Sequence, residues 1–182
     1  MSRVRIIPES EYKTTRWSGG TTTELFIWPE GSSYAERRFM ARISTAAVEI
    51  DESTFTPLPG VKRFLTPLCA GFELTVNGRN VTLPYGEVLE FSGDDAVTCR
   101  GRGRDLNLML KGADGLLKPF EGVFIVPENA LCFAFAAETT AVSYREANGC
   151  GGLMLQKHSF ARIEPGEYFT PGKVVLFFIF PE

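Results

Sequence analysis

The succession of short strands and tight turns limits what this chain can fold into more than any other feature of its sequence. Residues 72–110 alternate between short apolar segments and turns, of which Asn77-Gly78 is the strongest signal for a β-hairpin. The pattern resumes over residues 122–156 and ends in the apolar segment 174–180, which we expect to be buried on both faces. No segment keeps a helical period, and we expect at most a short helical turn over residues 116–120. The pattern predicts an all-β fold, a sandwich or a barrel.

A turn signature recurs in the two halves of the chain. Residues 84–87 read Pro-Tyr-Gly-Glu and residues 165–167 read Pro-Gly-Glu, and each turn separates two strand-like segments. This repeat predicts two related barrels. Because the glycine-containing segment 111–115 looks like a boundary, we expect a first barrel in residues 1–112 and a second, smaller barrel in residues 113–182. An exchange of terminal strands between the two barrels stays open.

The charge balance and the absence of long apolar runs restrict the partners and the location. The 182 residues include 19 basic and 22 acidic side chains, which give a formal net charge of -3. A nucleic-acid-binding domain is expected to carry a basic face, so we expect no nucleic acid as partner. No apolar run has the length of a membrane span, and no signal peptide is recognisable. We therefore expect a cytoplasmic protein with reduced thiols that does not bind membranes.

The residues that commonly hold metals are scarce. His158 is the single histidine, and no two of the four cysteines form a C-x-x-C pair. Zinc, iron and manganese sites usually need two or three histidines or several closely spaced cysteines. We therefore expect no metal and no other cofactor. We assign no catalytic residue, since His158 has no acidic neighbour in sequence and a catalytic triad would depend on it. Cys69 and Cys132 lie in apolar runs and are expected in the core.

An isolated arginine begins the strand-like segment that follows the proline- and glycine-rich turn of residues 57–60. Alternation places Arg63 on the same face as Leu65 and Pro67. A guanidinium keeps its charge, so on an apolar face it needs either a carboxylate of the protein or an anionic ligand. A second isolated arginine, Arg42, lies on the polar face of the segment 39–48.

One further strand and one turn carry polar groups of interest. In residues 105–110 three leucines share one face, while Asp105, Asn107 and Met109 share the other. That polar face lines a barrel interior or simply contacts water, and the pattern alone does not separate the two. The Gly19-Gly20 turn exposes backbone N–H groups that could approach an anion, but a plain hairpin turn is favoured.

Three motifs resemble those of the bacterial HutD/Ves family of bicupins. Residues 17–24 (WSGGTTTE) resemble its W-x-N-G-G-x-T-x-E, and residues 55–63 (FTPLPGVKR) resemble its F-S-x-F-P-G-V-D-R. Residues 105–109 (DLNLM) resemble its D-F-N-x-M strand. The likeness covers most of residues 12–112. The order and spacing of the motifs also fit, which makes the set more specific than any one motif.

The resemblance implies a cupin fold with two barrels in one chain and no metal. Some members are encoded with histidine-degradation enzymes and are suspected of binding a small acid, while others are linked to cold or stress responses. No enzymatic activity is firmly attached to the family. Ser18 stands where asparagine is usual, and Lys62 replaces an acidic residue, so the ligand itself is not implied.

These observations favour a metal-free cupin that binds a small carboxylate such as formate, urocanate or N-formylglutamate over an enzyme, and the resemblance suggests a role in regulating histidine catabolism or a stress response. An arginine can hold a carboxylate in a bidentate pair, an asparagine adds a donor and an acceptor, and apolar side chains supply a wall. The expected ligand-binding residues are Trp17, Glu24, Arg42, Arg63, Asp105, Asn107 and Met109.

Other interpretations stay open. Arg63 could pair with Asp105 or Glu24 and serve the fold alone. A metal-free isomerase or lyase would use Glu24 or Asp105 as general base. An interaction module without ligand would use Phe133, Phe135 and the segment 174–180, although such residues more often form a core. A homodimer is also left open.

Overall fold

The computed structural model describes residues 3–146 and 149–181, and these residues form an all-β fold. One short 3-10 turn (Glu9–Glu11) is the only helical element among them. The strands in chain order are β1 (Val4–Ile7), β2 (Lys13–Trp17), β3 (Gly20–Trp28), β4 (Ala41–Val48), β5 (Glu52–Thr54), β6 (Lys62–Pro67), β7 (Phe72–Val76), β8 (Arg79–Leu83), β9 (Leu89–Ser92), β10 (Val97–Arg100), β11 (Gly103–Leu110), β12 (Asp114–Val126), β13 (Leu131–Ala136), β14 (Thr140–Glu146), β15 (Gly149–Leu155), β16 (Phe160–Ile163) and β17 (Gly166–Phe180).

The chain divides into two compact units. Residues 12–113 form one, and residues 114–181 together with residues 3–11 form the other. The N-terminal residues belong to the second unit because β1 pairs antiparallel with β16. The sequence had placed them with residues 12–112. That each unit is a separate cupin barrel stays a prediction.

The unit of residues 12–113 consists of two antiparallel sheets. One has six strands in the order β2-β3-β4-β11-β6-β9, and the other has four in the order β5-β10-β7-β8. Leu106, Leu108 and Leu110 on one face of β11 are buried at 0–1% exposure. Burial of this leucine face anchors β11 in the middle of the larger sheet and turns the alternate, polar residues of β11 the other way.

The pairing register then aligns the polar residues of three adjacent strands on one face of the six-stranded sheet. Across β4, β11 and β6 the rows are Arg42–Met109–Arg63, Ser44–Asn107–Leu65 and Ala46–Asp105–Pro67. The alternation expected for Arg63 and Arg42 is therefore confirmed. The register places polar groups from distant parts of the sequence on one surface.

The second unit has an apolar interior. Its sheet follows the order β1-β16-β13-β17-β14-β15, with β12 also paired to β17. Residues 174–179 of β17 are all buried and Phe180 is half-buried, so the expected burial on both faces is confirmed for all but the last residue of the segment. Phe133 and Phe135 are only 0% and 3% exposed. These residues are core residues, so the idea that they form an interaction surface is wrong.

Two local expectations are also wrong. Residues 116–120 are part of β12 and not a helical turn, because they pair residue by residue with β17 and alternate between an inward Leu117 and an outward Leu116 and Lys118. Cys69 is exposed, although Cys132 is buried as expected. Cys69 follows the end of β6, where the chain leaves the core.

None of the helices in the part of the chain described here is long and apolar enough to cross a membrane.

Candidate functional site

A pocket of about 270 Å³ opens within the unit of residues 12–113. Its floor is the polar face of β3, β4, β11 and β6, and its rim includes the loop that follows β5. Six of the seven predicted ligand-binding residues line it, and the seventh, Glu24, bonds to one of them. The lining residues are Thr15, Trp17, Thr22, Tyr34, Arg42, Ser44, Ala46, Val48, Ser53, Thr54, Phe55, Thr56, Arg63, Asp105, Asn107 and Met109.

Arg42 is held by protein partners on several sides. Its Nε donates to Glu24 Oε2 at 2.7 Å, and its Nη1 donates to Ser44 Oγ at 3.3 Å. Its guanidinium carbon lies 4.0 Å from the centre of the Tyr34 ring, in cation–π geometry. An extra residue in β3, between Glu24 and Phe26, shifts the register there. Arg42 is therefore compensated by an internal carboxylate.

Arg63 lacks this compensation. It is 7% exposed, and its only hydrogen bond within the described residues runs from Nη1 to the Thr56 carbonyl at 3.1 Å. Its Nε is buried without a hydrogen-bond partner in the same set of residues. The guanidinium lies between two aromatic rings, 5.2 Å from the centre of Phe55 and 4.9 Å from that of Phe91. The rings fix its position but supply no negative charge.

The electrostatics of Arg63 follow from this environment. Burial lowers the pKa of its guanidinium, the positive charge of Arg42 lowers it further, and Tyr34 and Asp105 oppose the shift. An arginine nevertheless stays protonated in proteins. The alternative that Arg63 forms an ion pair with Asp105 or Glu24 is wrong for the described residues: Glu24 is bonded to Arg42, and the hydrogen bonds of Asp105 run to Ala46 and Asn107 and not to Arg63. A buried cation without a carboxylate partner is suited to bind an anion.

Asp105 and Asn107 form a second polar group on the floor. Asp105 Oδ1 accepts hydrogen bonds from the Ala46 N–H at 3.2 Å and from Asn107 Nδ2 at 2.6 Å. The side chains are only 4% and 8% exposed. Burial raises the pKa of Asp105 to about 7, although both hydrogen bonds and the charge of Arg63 act in the opposite direction. The carboxyl group therefore changes its charge near neutral pH.

The two apolar residues expected in the wall are both there. Met109 is 4% exposed and packs with Phe39, Leu58 and Val61, whereas Trp17 is 37% exposed at the rim. Trp17 pairs with Gly20 across a tight hairpin, so the favoured interpretation of the Gly19-Gly20 turn is confirmed. A Cβ on Gly20 would lie 1.9 Å from the Ala47 carbonyl oxygen, so the close approach of β3 to β4 requires glycine there.

Four contributors were missed at the sequence level. Tyr34 lies in the polar loop between β3 and β4, where nothing in the local pattern distinguishes it. Phe91 pairs with Arg63 across β6 and β9, which only the register reveals. Phe55 and Thr56 belong to the motif of residues 55–63 and could have been found by asking which groups of that motif face its arginine.

The described residues offer no alternative set of metal ligands. Nowhere in residues 3–146 and 149–181 do three or more His, Cys, Asp or Glu side chains come together in a way that could hold a metal ion. The groups on the pocket floor are two guanidiniums, an amide and one carboxylate. This donor set suits an anionic organic ligand better than a cation.

Residues 9–167 match the family model described as HutD. This chain belongs to the HutD family. The match covers most of the chain, so the family resemblance stated on the three motifs is confirmed. A search of curated proteins finds no match.

Solved structures agree with this assignment at the level of the fold. HutD from Pseudomonas fluorescens SBW25 is 22% identical with a TM-score of 0.80, and the match covers 98% of this chain and 99% of that one. A conserved protein of unknown function from Pseudomonas aeruginosa PAO1 is 21% identical with a TM-score of 0.78, covering 97% of each chain.

A more distant neighbour belongs to the cupin-like proteins. Bacillus subtilis oxalate decarboxylase is 7% identical with a TM-score of 0.59, and the match covers 98% of this chain and 77% of that one. The fold of this HutD-family chain is therefore all-β and cupin-like, as expected.

Proposed function

We propose that this HutD-family protein binds a small carboxylate in the pocket of the 12–113 unit, and that Arg63 is the group that holds it. The observation behind the proposal is that the guanidinium of Arg63 is buried and charged but has no negatively charged partner in the part of the chain that the structure describes. Arg63 is 7% exposed, its Nε has no hydrogen-bond partner, and it forms no ion pair with any carboxylate of the described residues. A carboxylate would satisfy both its charge and its free N–H groups.

The geometry around Arg63 supports a small, planar anion. Arg63 Nη1 donates a hydrogen bond to the Thr56 carbonyl, and the rings of Phe55 and Phe91 lie on either side of the guanidinium. The edge formed by Nε and Nη2 makes no hydrogen bond within the described residues, and such an edge forms bidentate pairs with carboxylates. Because the aromatic rings and the strand hold the arginine in place, little side-chain entropy is lost when the ligand binds.

The candidate ligands are formate, urocanate and N-formylglutamate, all of which carry the carboxylate that Arg63 requires. We propose further that binding serves to regulate amino-acid catabolism, with histidine as the first candidate, or a stress response. This part of the proposal rests on membership of the family.

The proposal includes several features that come from the sequence. The protein works without a metal, is located in the cytoplasm, and binds neither nucleic acid nor membrane. Its two units are two barrels of a bicupin, of which the one with residues 12–113 holds the ligand. A homodimer is compatible with all of this.

The experiment is a calorimetric titration of the protein with formate, urocanate and N-formylglutamate, using wild type, Arg63→Ala and Arg63→Lys. We expect wild type to bind at least one acid and Arg63→Ala to lose about 30-fold or more in affinity, since truncating one partner of a buried charge pair weakens binding by about 2–5 kcal/mol. Arg63→Lys should recover little, because an ammonium cannot form the bidentate pair. Arg79→Ala, an exposed arginine outside the pocket, is the matched control.

The proposal is overturned if wild type binds none of the acids, or if Arg63→Ala binds them as wild type does. Circular dichroism and thermal unfolding establish that each variant is folded. Loss of binding in Arg79→Ala as well would show that the effect is not specific to the pocket.

A second candidate function is a metal-free isomerase or lyase with Asp105 as general base. One observation favours it, namely that the pKa of Asp105 is raised to about 7 by burial, which is suitable for proton transfer at neutral pH. Glu24, the other candidate base, is engaged by Arg42. The test is product formation from the acids above, monitored by NMR: turnover by wild type that disappears in Asp105→Asn would establish an enzyme. The absence of any product leaves the protein a binding protein.

A further inference from the structure

The pocket contains two hydrogen-bond acceptors that a simple carboxylate does not use. Asp105 receives both of its hydrogen bonds at Oδ1, and Asn107 donates from Nδ2, which leaves Asp105 Oδ2 and Asn107 Oδ1. No donor of the described residues bonds to either of these oxygens. Both side chains are more than nine-tenths buried and line the pocket.

Such an arrangement is unfavourable for an anion alone. An ionised Asp105 repels a carboxylate ligand, and a plain carboxylate has no donor to offer to Asp105 Oδ2 or Asn107 Oδ1. A pocket that served only a plain monocarboxylate would gain affinity from an apolar or a donating residue at position 105. The placement of two adjacent acceptors is explained by a ligand that brings a donor to them.

We infer that the ligand of this pocket carries a hydroxyl or N–H group in addition to its carboxylate, and that Asp105 Oδ2 and Asn107 Oδ1 accept hydrogen bonds from it. This inference rests on the function proposed above, since Arg63 holds the carboxylate end. The ligand class is thus a hydroxy acid or an amide- or imidazole-containing acid. Asp105 and Asn107 determine the specificity, and Arg63 supplies the charge complement.

The register indicates how far apart the two ligand groups lie. Arg63 is opposite Met109, and Asn107 and Asp105 follow two and four residues further along β11. Two residues of a strand correspond to about 7 Å. The guanidinium and the two acceptor oxygens are therefore several ångströms apart. A ligand whose donor group is several bonds away from its carboxylate fits this distance better than one whose donor is on the carbon next to the carboxylate.

Matched pairs of acids test the inference without any mutation. 4-Hydroxybutyrate and pentanoate have nearly the same size and differ by a hydroxyl in place of a methyl group, as do glycolate and propionate. The titrations are run at about pH 8, where Asp105, with a pKa of about 7, is mainly ionised. We expect 4-hydroxybutyrate to bind about 10- to 100-fold tighter than pentanoate, the range for a hydrogen bond to a charged group. The advantage of glycolate over propionate should be smaller.

Asp105→Asn identifies the acceptor. An asparagine can keep its Oδ1 on Ala46 N–H and Asn107 Nδ2, but it then presents an N–H₂ group where Asp105 presents Oδ2. In this variant pentanoate should bind as tightly as in wild type or tighter, since a negative charge is removed, and the advantage of 4-hydroxybutyrate should fall to about threefold or less. Thr66→Val, at a buried position outside the pocket, is the matched control and should keep the full advantage.

The outcomes separate this inference from the function on which it rests. Equal binding of 4-hydroxybutyrate and pentanoate by wild type would overturn the donor requirement and leave carboxylate binding intact. An advantage that persists in Asp105→Asn would show that Asp105 is not the acceptor and overturn the assignment. If wild type binds none of the four acids, the carboxylate function itself fails.

Discussion

The two units of the molecule are both built from antiparallel strands, but their interiors differ in polarity. The unit with residues 114–181 has an apolar core, and among its described residues the buried polar ones are Thr140 and Thr170, whose hydroxyl oxygens lie 3.3 Å apart. In the unit with residues 12–113 the described buried residues include Arg42, Arg63 and Asp105. Charged groups are rarely buried unless they are paired. One unit therefore resembles a structural core, whereas the other contains a buried charge, that of Arg63, which has no carboxylate partner within the described residues.

The same contrast recurs inside the pocket. Arg42 is satisfied by Glu24 and Ser44, whereas Arg63 has a carbonyl and two aromatic rings. A satisfied buried charge contributes to the fold, and an unsatisfied one lowers stability. The comparison predicts that breaking the Arg42–Glu24 pair lowers the free energy of unfolding, whereas removing the charge of Arg63 raises it.

The largest effect is expected in the apolar unit. Leu155 is 0% exposed and belongs to its core, so Leu155→Ala should lower the free energy of unfolding by about 3–5 kcal/mol through lost transfer energy and a cavity. The affinity of the folded protein for carboxylates should not change. Denaturant unfolding and calorimetry measure the two quantities. A loss of affinity comparable to that of Arg63→Ala would contradict the separation of roles.

The next effect is a pH dependence caused by Asp105. Its pKa is raised from 3.8 to about 7 on folding, so the folded protein holds the proton more tightly than the unfolded chain. Its contribution to stability is greatest below about pH 4, is lost as the pH rises to about 7, and is constant above. The total change is about 4 kcal/mol, from 1.36 kcal/mol per pKa unit.

This pH dependence is measured as the difference between wild type and Asp105→Asn in denaturant unfolding from about pH 4 to 8. Wild type should lose stability relative to the variant as the pH rises, because only wild type carries the titrating group. A difference that does not vary with pH, or that has the opposite sign, would show that the Asp105 carboxyl group is not protonated in the folded protein near neutrality.

A smaller destabilisation is expected when the satisfied arginine loses its partner. Glu24→Gln leaves the charge of Arg42 buried with a neutral partner and should lower stability by about 2–3 kcal/mol. The side chain of Glu24 is 16% exposed, so the value lies below that of a fully buried pair. Glu52→Gln, in the exposed pair with Arg100, is the control and should change stability by less than about 1 kcal/mol.

The smallest effect distinguishes the two arginines most directly. Arg63→Met removes a buried cation that has no carboxylate partner and should raise stability by about 1 kcal/mol while it abolishes carboxylate binding. Thermal unfolding without and with ligand gives both readouts. A clear loss of stability in Arg63→Met would mean that Arg63 is mainly a structural residue.

Much of the fold could be predicted because strands and hairpins produce recognisable patterns in the local sequence. The Asn77-Gly78 hairpin, the leucine face of β11 and the buried β17 all follow from alternation and turn residues. The segment 116–120 was misjudged because its pairing with β17 involves a partner about 60 residues away in sequence, and local patterns carry no information about such partners.

The sequence by itself determined the strand pattern, the isolated arginines and the family motifs. The strand pattern can be predicted from the sequence because the alternation of buried and exposed side chains and the residue preferences of turns depend on residues that are close in the chain. Only the tertiary structure decided which carboxylate belongs to which arginine. Glu24 bonds to Arg42 and leaves Arg63 unpaired, and this follows from the register of β3, β4, β11 and β6. Register depends on pairing between distant segments, and it is this pairing that turns scattered polar residues into one pocket.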